Sequence, residues 1–192
     1  EPEHPSRVPG LLVRVGTLAA LVLIAAAGSV VEDSGSTWAA VYLSQSLGAP
    51  LSLAAFGFVA LTGAQFVGRL VGDRVVDRFG QRAVARSGGA LVALGMGLAL
   101  AFPTVPGTIA GFAAAGLGIA TLVPAAMHGA DELPGLRPGT GLAVVSWLMR
   151  IGFLLSPPLV GLVADHASLR AGLLVVPVAG LVVVLASQVL DT

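Results

Sequence analysis

The sequence predicts an all-α membrane protein of six transmembrane helices. Three observations carry this: 56% of its 192 residues are hydrophobic and only 10% charged, mean hydropathy is +0.94, and the apolar residues gather in long runs rather than alternating. A water-surrounded domain carries roughly 25% charged residues, and runs of this length match the about 20 residues needed to cross about 30 Å of hydrocarbon.

The spans follow in order, separated by short polar or Gly/Pro breaks. The first runs from Leu11 to Val31 with a polar continuation toward Tyr42, the second from Leu51 to Val71, and the third from Ala83 to Phe102. The fourth runs from Gly107 to Met127, the fifth from Gly141 to Val163 and the sixth from Leu169 to Leu190. Small-xxx-small pairs such as Gly68 with Gly72 and Gly107 with Gly111 allow helix backbones to approach closely in lipid. Residues 1–10 are polar and proline-rich and read as a cytoplasmic linker, leaving residues 11–192 as the six-helix domain. A chain opening on Glu1 in such a linker is expected to be a fragment of a longer protein.

All ten basic residues are arginine, and their placement orients the bundle. Arg7, Arg14, Arg69, Arg74, Arg78, Arg82, Arg86 and Arg137 fall at one face, Arg170 flanks the other, and Arg150 lies within the fifth span. Positive loops stay on the cytoplasmic side, so both ends are expected there, with the protein multi-pass in a bacterial inner membrane. Zero net charge with no broad basic face argues against nucleic-acid binding. The absence of cysteine removes disulfides and thiolate chemistry. No Gly-x-Ser-x-Gly elbow, His-Glu-x-x-His helix or pair of intramembrane aspartates supports a hydrolase, no metal site or cofactor is called for, and the chain is expected not to be an enzyme.

Between the second and third spans stands Gly68-Arg-Leu-Val-Gly-Asp-Arg-Val-Val-Asp-Arg-Phe-Gly-Gln-Arg82. Its Asp77-Arg78-Phe79-Gly80-Gln81-Arg82 core resembles the loop signature of the major facilitator superfamily, with Asp73 where the family usually has glycine four residues before the aspartate. Glu32-Asp-Ser-Gly-Ser-Thr-Trp-Ala-Ala-Val-Tyr-Leu43 resembles the first helix of C-terminal halves in a fucose-permease-like bacterial branch, and Gly152-Phe-Leu-Leu-Ser-Pro-Pro-Leu-Val-Gly161 resembles the proline-kinked fifth helix of the same half. The resemblance implies one half of a secondary active transporter, proton-coupled and acting on a small polar solute such as a sugar or on a drug-like compound. It implies two inverted three-helix repeats and, as partners, membrane lipid and a missing N-terminal six-helix half or a second copy. The first, second, fourth and fifth helices would line the cavity. A passive pore or structural membrane subunit is the competing class.

Asp73, Arg74, Asp77, Arg78, Gly80 and Arg82 read as a conformational latch, with aspartates pairing nearby arginines and breaking as the state changes. The plain alternative is a topogenic arginine cluster. Ionisable residues within spans are costly and mark candidate sites. Glu32 and Asp33, near the outer end of the first helix, point about 100° apart. Glu32 is the candidate proton-coupling or substrate-binding carboxylate, against a merely solvated helix end. Arg150, with Ser146 on its face and Trp147 beside it, reads as an anion- or hydroxyl-binding group or as a counter-ion for Glu32, against snorkelling to the surface. Trp38 and Tyr42 share a face and would stack on a sugar ring or mark the membrane interface; Gln65 would reach a polar substrate or a neighbouring helix. His128, Asp165 and His166 read as helix-end residues.

Overall fold

The computed structural model describes residues 10–190; the expected linker at residues 1–10 lies almost wholly outside them. Among the described residues, six helices are long and apolar enough to cross a membrane, designated α1 (Leu11–Ser46), α2 (Leu51–Phe79), α3 (Gln81–Ala101), α4 (Val105–Asp131), α5 (Thr140–His166) and α6 (Leu169–Val189). The outer surface is studded with large apolar side chains, such as Leu94 on α3 and Leu185 on α6, which suits a lipid surround.

Several boundaries lie beyond the apolar windows that predict them. The α1 helix continues unbroken through the polar stretch after Val31 and ends in a π-helical turn, Tyr42–Ser46. The charged stretch after Val71 is the last part of α2, and Gly80 alone links it to α3. Nothing from Asp73 to Phe79 stops a helix; Gly80 does, with φ 81° and ψ 154°, a backbone open essentially to glycine alone. The α4 helix is interrupted at Ala120 and Thr121, just ahead of Pro124, whose missing N–H cannot complete the ladder. By contrast, α5 runs through Pro157 and Pro158 without interruption.

Packing follows an inverted repeat. The first helix packs on α5 and α6, just as α4 packs on α2 and α3, and α3 meets α6 across the same pseudo-two-fold relation. The α3–α6 and α3–α4 seams are glycine contacts. A Cβ at Gly180 would stand 2.6 Å from the Gly89 carbonyl oxygen, and one at Gly88 would collide with the Gly118 carbonyl. Leu21, Ile24 and Val31 of α1, Met96 of α3, Phe112 of α4 and Val176 of α6 share one buried cluster, so α1 is the central element. On the arginine-rich face, the Arg14 guanidinium donates to the Gly135 carbonyl at 2.9 Å, joining the start of α1 to the α4–α5 loop.

Candidate functional site

Helical geometry gathers most of the polar residues midway along α1 on one side. At about 100° per residue, Ser29, Glu32, Asp33, Ser36 and Thr37 occupy an arc of about 140°. Their hydroxyls are largely satisfied within the helix: Ser29 Oγ donates to the Ala25 carbonyl at 3.0 Å and Ser36 Oγ to the Glu32 carbonyl at 2.8 Å. Because α1 extends to Ser46, Glu32 and Asp33 lie about 21 Å short of its end rather than at it. No proline or turn stops α1 before Ser46, so the helix runs past the expected continuation toward Tyr42.

Glu32 is bound to α2. Gln65 Nε2 donates to Glu32 Oε2 at 2.9 Å, and Arg69 Nη2 lies 3.9 Å from the same oxygen. Gln65 and Arg69 are one turn apart, so they reach Glu32 from the same face of α2. Gln65 itself is buried, whereas the Arg69 and Glu32 side chains are about half exposed. Arg69 also lines a cleft of about 500 Å³ with Asp73, Asp77, Thr121 and His128, which leads from the arginine-rich face toward this cluster. Ser34 adds a second cross-helix contact, its Oγ 3.4 Å from that of Ser156 on α5.

Asp33 points elsewhere and is 5% exposed. Thr37 Oγ1 donates to its Oδ1 at 3.4 Å, while its buried Oδ2 has no hydrogen-bond partner.

The other expected residues separate. Arg150 is exposed on α5 and lines a shallow cleft of about 380 Å³ with Ala143, Ser146 and Trp147. Among the described residues it forms no ion pair; the cation beside Glu32 is Arg69, so of the two roles expected for Arg150 the counter-ion one is not made here. Tyr42 is 1% exposed within the core cluster, so it is neither an open stacking platform nor an interface anchor. Trp38 is half-buried, its indole ring lying where α5 passes at Gly161, and its Nε1 is buried without a partner.

In the α2–α3 segment, Asp73, Arg74, Asp77 and Arg78 form no ion pair among the described residues, nor does Arg82. Asp73 and Asp77 share one face of α2 and line the cleft toward α4, while Arg74 and Arg78 are turned about 100° away, and Arg78 stacks over Phe79. The latch pairs expected there are therefore not made in this conformation. Arg69 was legible only as one of the topological arginines, although its one-turn spacing from Gln65 is the signal that pairs them. Arg170 likewise has a structural role: its Nε and Nη2 donate to the Leu100 and Ala101 carbonyls at 2.7 and 3.2 Å, closing the C-terminus of α3.

A bundle of six apolar helices in inverted repeats, with an acid, an amide and an arginine joined between two of them, defines a multi-pass helical membrane protein. A profile of the Major Facilitator Superfamily matches residues 12–190, and the chain belongs to that family. It is 35% identical over 162 residues to membrane protein MosC of Rhizobium meliloti, covering 84% of this chain and 40% of that protein. It is 33% identical over 184 residues to the transporter y4wD of Sinorhizobium fredii, covering 95% of this chain and 49% of that protein. An MFS-type transporter of Yersinia pestis is 28% identical over 160 residues, 83% of this chain and 40% of its own length. The chain thus spans half or less of the length of these relatives.

Proposed function

We propose that this chain is the C-terminal half of a secondary active transporter of a fucose-permease-like bacterial branch, residing in the inner membrane with both ends cytoplasmic. The missing N-terminal half, or a second copy, supplies the facing wall of the cavity. The solute is a small polar molecule such as a sugar, or a drug-like compound, and its movement is driven by a cation gradient.

The single observation behind this reading is the Glu32–Gln65–Arg69 cluster joining α1 to α2. Charged groups are expensive in a bilayer, and here they stand half exposed on one wall of the bundle beside the polar arc of α1. Of the two roles expected for Glu32, the geometry favours solute recognition. Its Oε2 already has an amide donor and a guanidinium, a set that a hydroxylated solute would join or displace. Arg150, Ser146 and Trp147 on the exposed face of α5 form the second candidate contact for solute. Asp73 and Asp77, facing the cleft, act as a latch by engaging a group that arrives when the conformation changes.

The test is counterflow of radiolabelled sugars and lipophilic drugs by the intact protein in proteoliposomes. Saturable counterflow that Glu32→Gln reduces supports the reading; passage of solute without counterflow would replace it with a passive pore.

A further inference from the structure

The α2 and α4 helices run in the same direction and touch along a glycine seam. A Cβ at Gly68 would stand 2.6 Å from the Ala120 Cβ, and one at Gly72 would stand 2.7 Å from the Thr121 Cγ2. Beyond that contact the helices part, and the cleft of about 500 Å³ opens between them. The parting coincides with the interruption of α4 at Ala120 and Thr121. Pro124 has no N–H to give the Ala120 carbonyl, so the arm Leu122–Asp131 meets the rest of α4 at a hinge.

The charges on this cleft are not matched. Asp73 and Asp77 stand on its α2 wall without an ion-pair partner among the described residues, and the cation on the same wall, Arg69, is turned to Glu32. The α4 wall presents His128, whose Nε2 lies 3.3 Å from Glu132 Oε2 one turn further on. Asp131 accepts the Gly139 N–H at 3.1 Å. The α3 helix brings only the uncharged Gln81 to this cleft. Arg14 of α1 is bonded to the Gly135 carbonyl, Arg150 of α5 lines a different cleft, and Arg170 of α6 is bonded at the far end of α3. With a neutral imidazole, three carboxylates therefore border the cleft and repel one another; a protonated one sets a cation among them.

The register selects Asp77. It lies five residues past Gly72, and His128 lies seven past Thr121, so the two stand about 7.5 and about 10.5 Å beyond the same contact. Helical side chains slant back toward the N-terminus, which brings the imidazole level with Asp77.

We propose that His128 is a pH sensor on the arginine-rich face: once protonated it pairs with Asp77 across the cleft, drawing the arm of α4 onto α2 and closing the cleft. This rests on the latch reading of Asp77 above and supplies the group that reading requires. Histidine changes charge between about pH 5 and about pH 8, so the clasp is shut toward the lower value and open toward the higher. Arg69 lies on the same wall, so closure reaches the Glu32 cluster through α2.

The experiment reads the cleft itself and needs no solute. In the intact protein in lipid nanodiscs, Ala125→Cys on the α4 wall is labelled with a water-soluble methanethiosulfonate, and the labelled peptide is followed by mass spectrometry. Its rate is divided by that of Arg137→Cys in the exposed α4–α5 loop, which cancels the pH dependence of the thiol. From about pH 8 to about pH 5 the ratio should fall about fivefold, equivalent to about 1 kcal/mol, the upper end for an ion pair between exposed groups. The fall should vanish in His128→Gln and in Asp77→Asn and persist in Glu132→Gln. A ratio that does not change with pH, or a fall that survives His128→Gln or Asp77→Asn, overturns the clasp. The first of these readouts keeps both clasp residues, so it does not depend on their variants folding. Protection at low pH without counterflow loses the transporter reading alone; counterflow without protection loses this inference alone.

Discussion

The Gln65 side-chain amide donates to Glu32 Oε2 at 2.9 Å, joining two helices at residues that lie 33 positions apart in the chain. Interhelical hydrogen bonds within membranes are worth about 1 kcal/mol, since the partly unfolded chain also finds partners. Gln65→Ala is expected to lower stability by about that amount and to reduce counterflow, because Arg69 alone then holds Glu32. Gln65→Glu, which puts a second carboxylate beside the first, should be worse on both counts. Thermal unfolding in detergent and transport in liposomes measure the two effects.

Close approach of α2 and α4 depends on Gly116. A Cβ there would strike the Leu61 carbonyl and stand 3.1 Å from the Gln65 amide nitrogen, so no side-chain movement relieves it. Gly116→Ala should cost about 1 to 3 kcal/mol through overpacking. Gly63→Ala on the same helix pair is the matched control. Nothing lies within 4 Å of a Cβ at that position, so stability should hold or rise by up to about 1 kcal/mol from helix propensity.

Gly80 forms the whole connection between α2 and α3. At φ 81° and ψ 154°, Gly80→Ala should cost about 2 kcal/mol in backbone strain and loosen the angle between the helices. Unfolding in denaturant would show the loss. A wild-type transition would mean that the linker readily adopts another conformation.

Arg170 closes the end of α3 through two carbonyls. Arg170→Ala should cost about 1 kcal/mol, with partial recovery in Arg170→Lys, which keeps the charge but loses the fork. Hydrogen exchange at the last turn of α3 would localise the effect.

How much of this was legible in the sequence follows from the kind of signal each feature has. The number and order of spans are written in apolar windows about 20 residues long, and the structure follows them. The helix ends are not, because hydropathy marks where lipid ends and not where hydrogen bonding stops. Asp73 to Phe79 are charged yet helical up to Gly80, and Glu32 to Thr37 are polar yet interior to α1. Glu32, Asp33 and Gln65 stood out as polar residues in apolar surroundings. Their partners did not. The pairing of Glu32 with Arg69 rather than Arg150 depends on helix rotation and neighbour choice, which only tertiary packing fixes. For the same reason Tyr42 and Trp38, four residues apart, meet the same core cluster at different depths, Tyr42 buried within it and Trp38 half-buried at its edge against Gly161.

A polar arc on α1 that lines an aqueous cavity in the intact protein should be open to thiol reagents from water. This chain contains no cysteine, so a single introduced thiol in it reports without background from its own residues. Ser36→Cys and Thr37→Cys, each exposed on that arc, should react with a membrane-impermeant methanethiosulfonate reagent, while Leu94→Cys on the apolar outer face of α3 should not. Reaction rates at Ser36→Cys and Thr37→Cys as low as at Leu94→Cys, with reagent supplied from both sides of the membrane, would contradict the account.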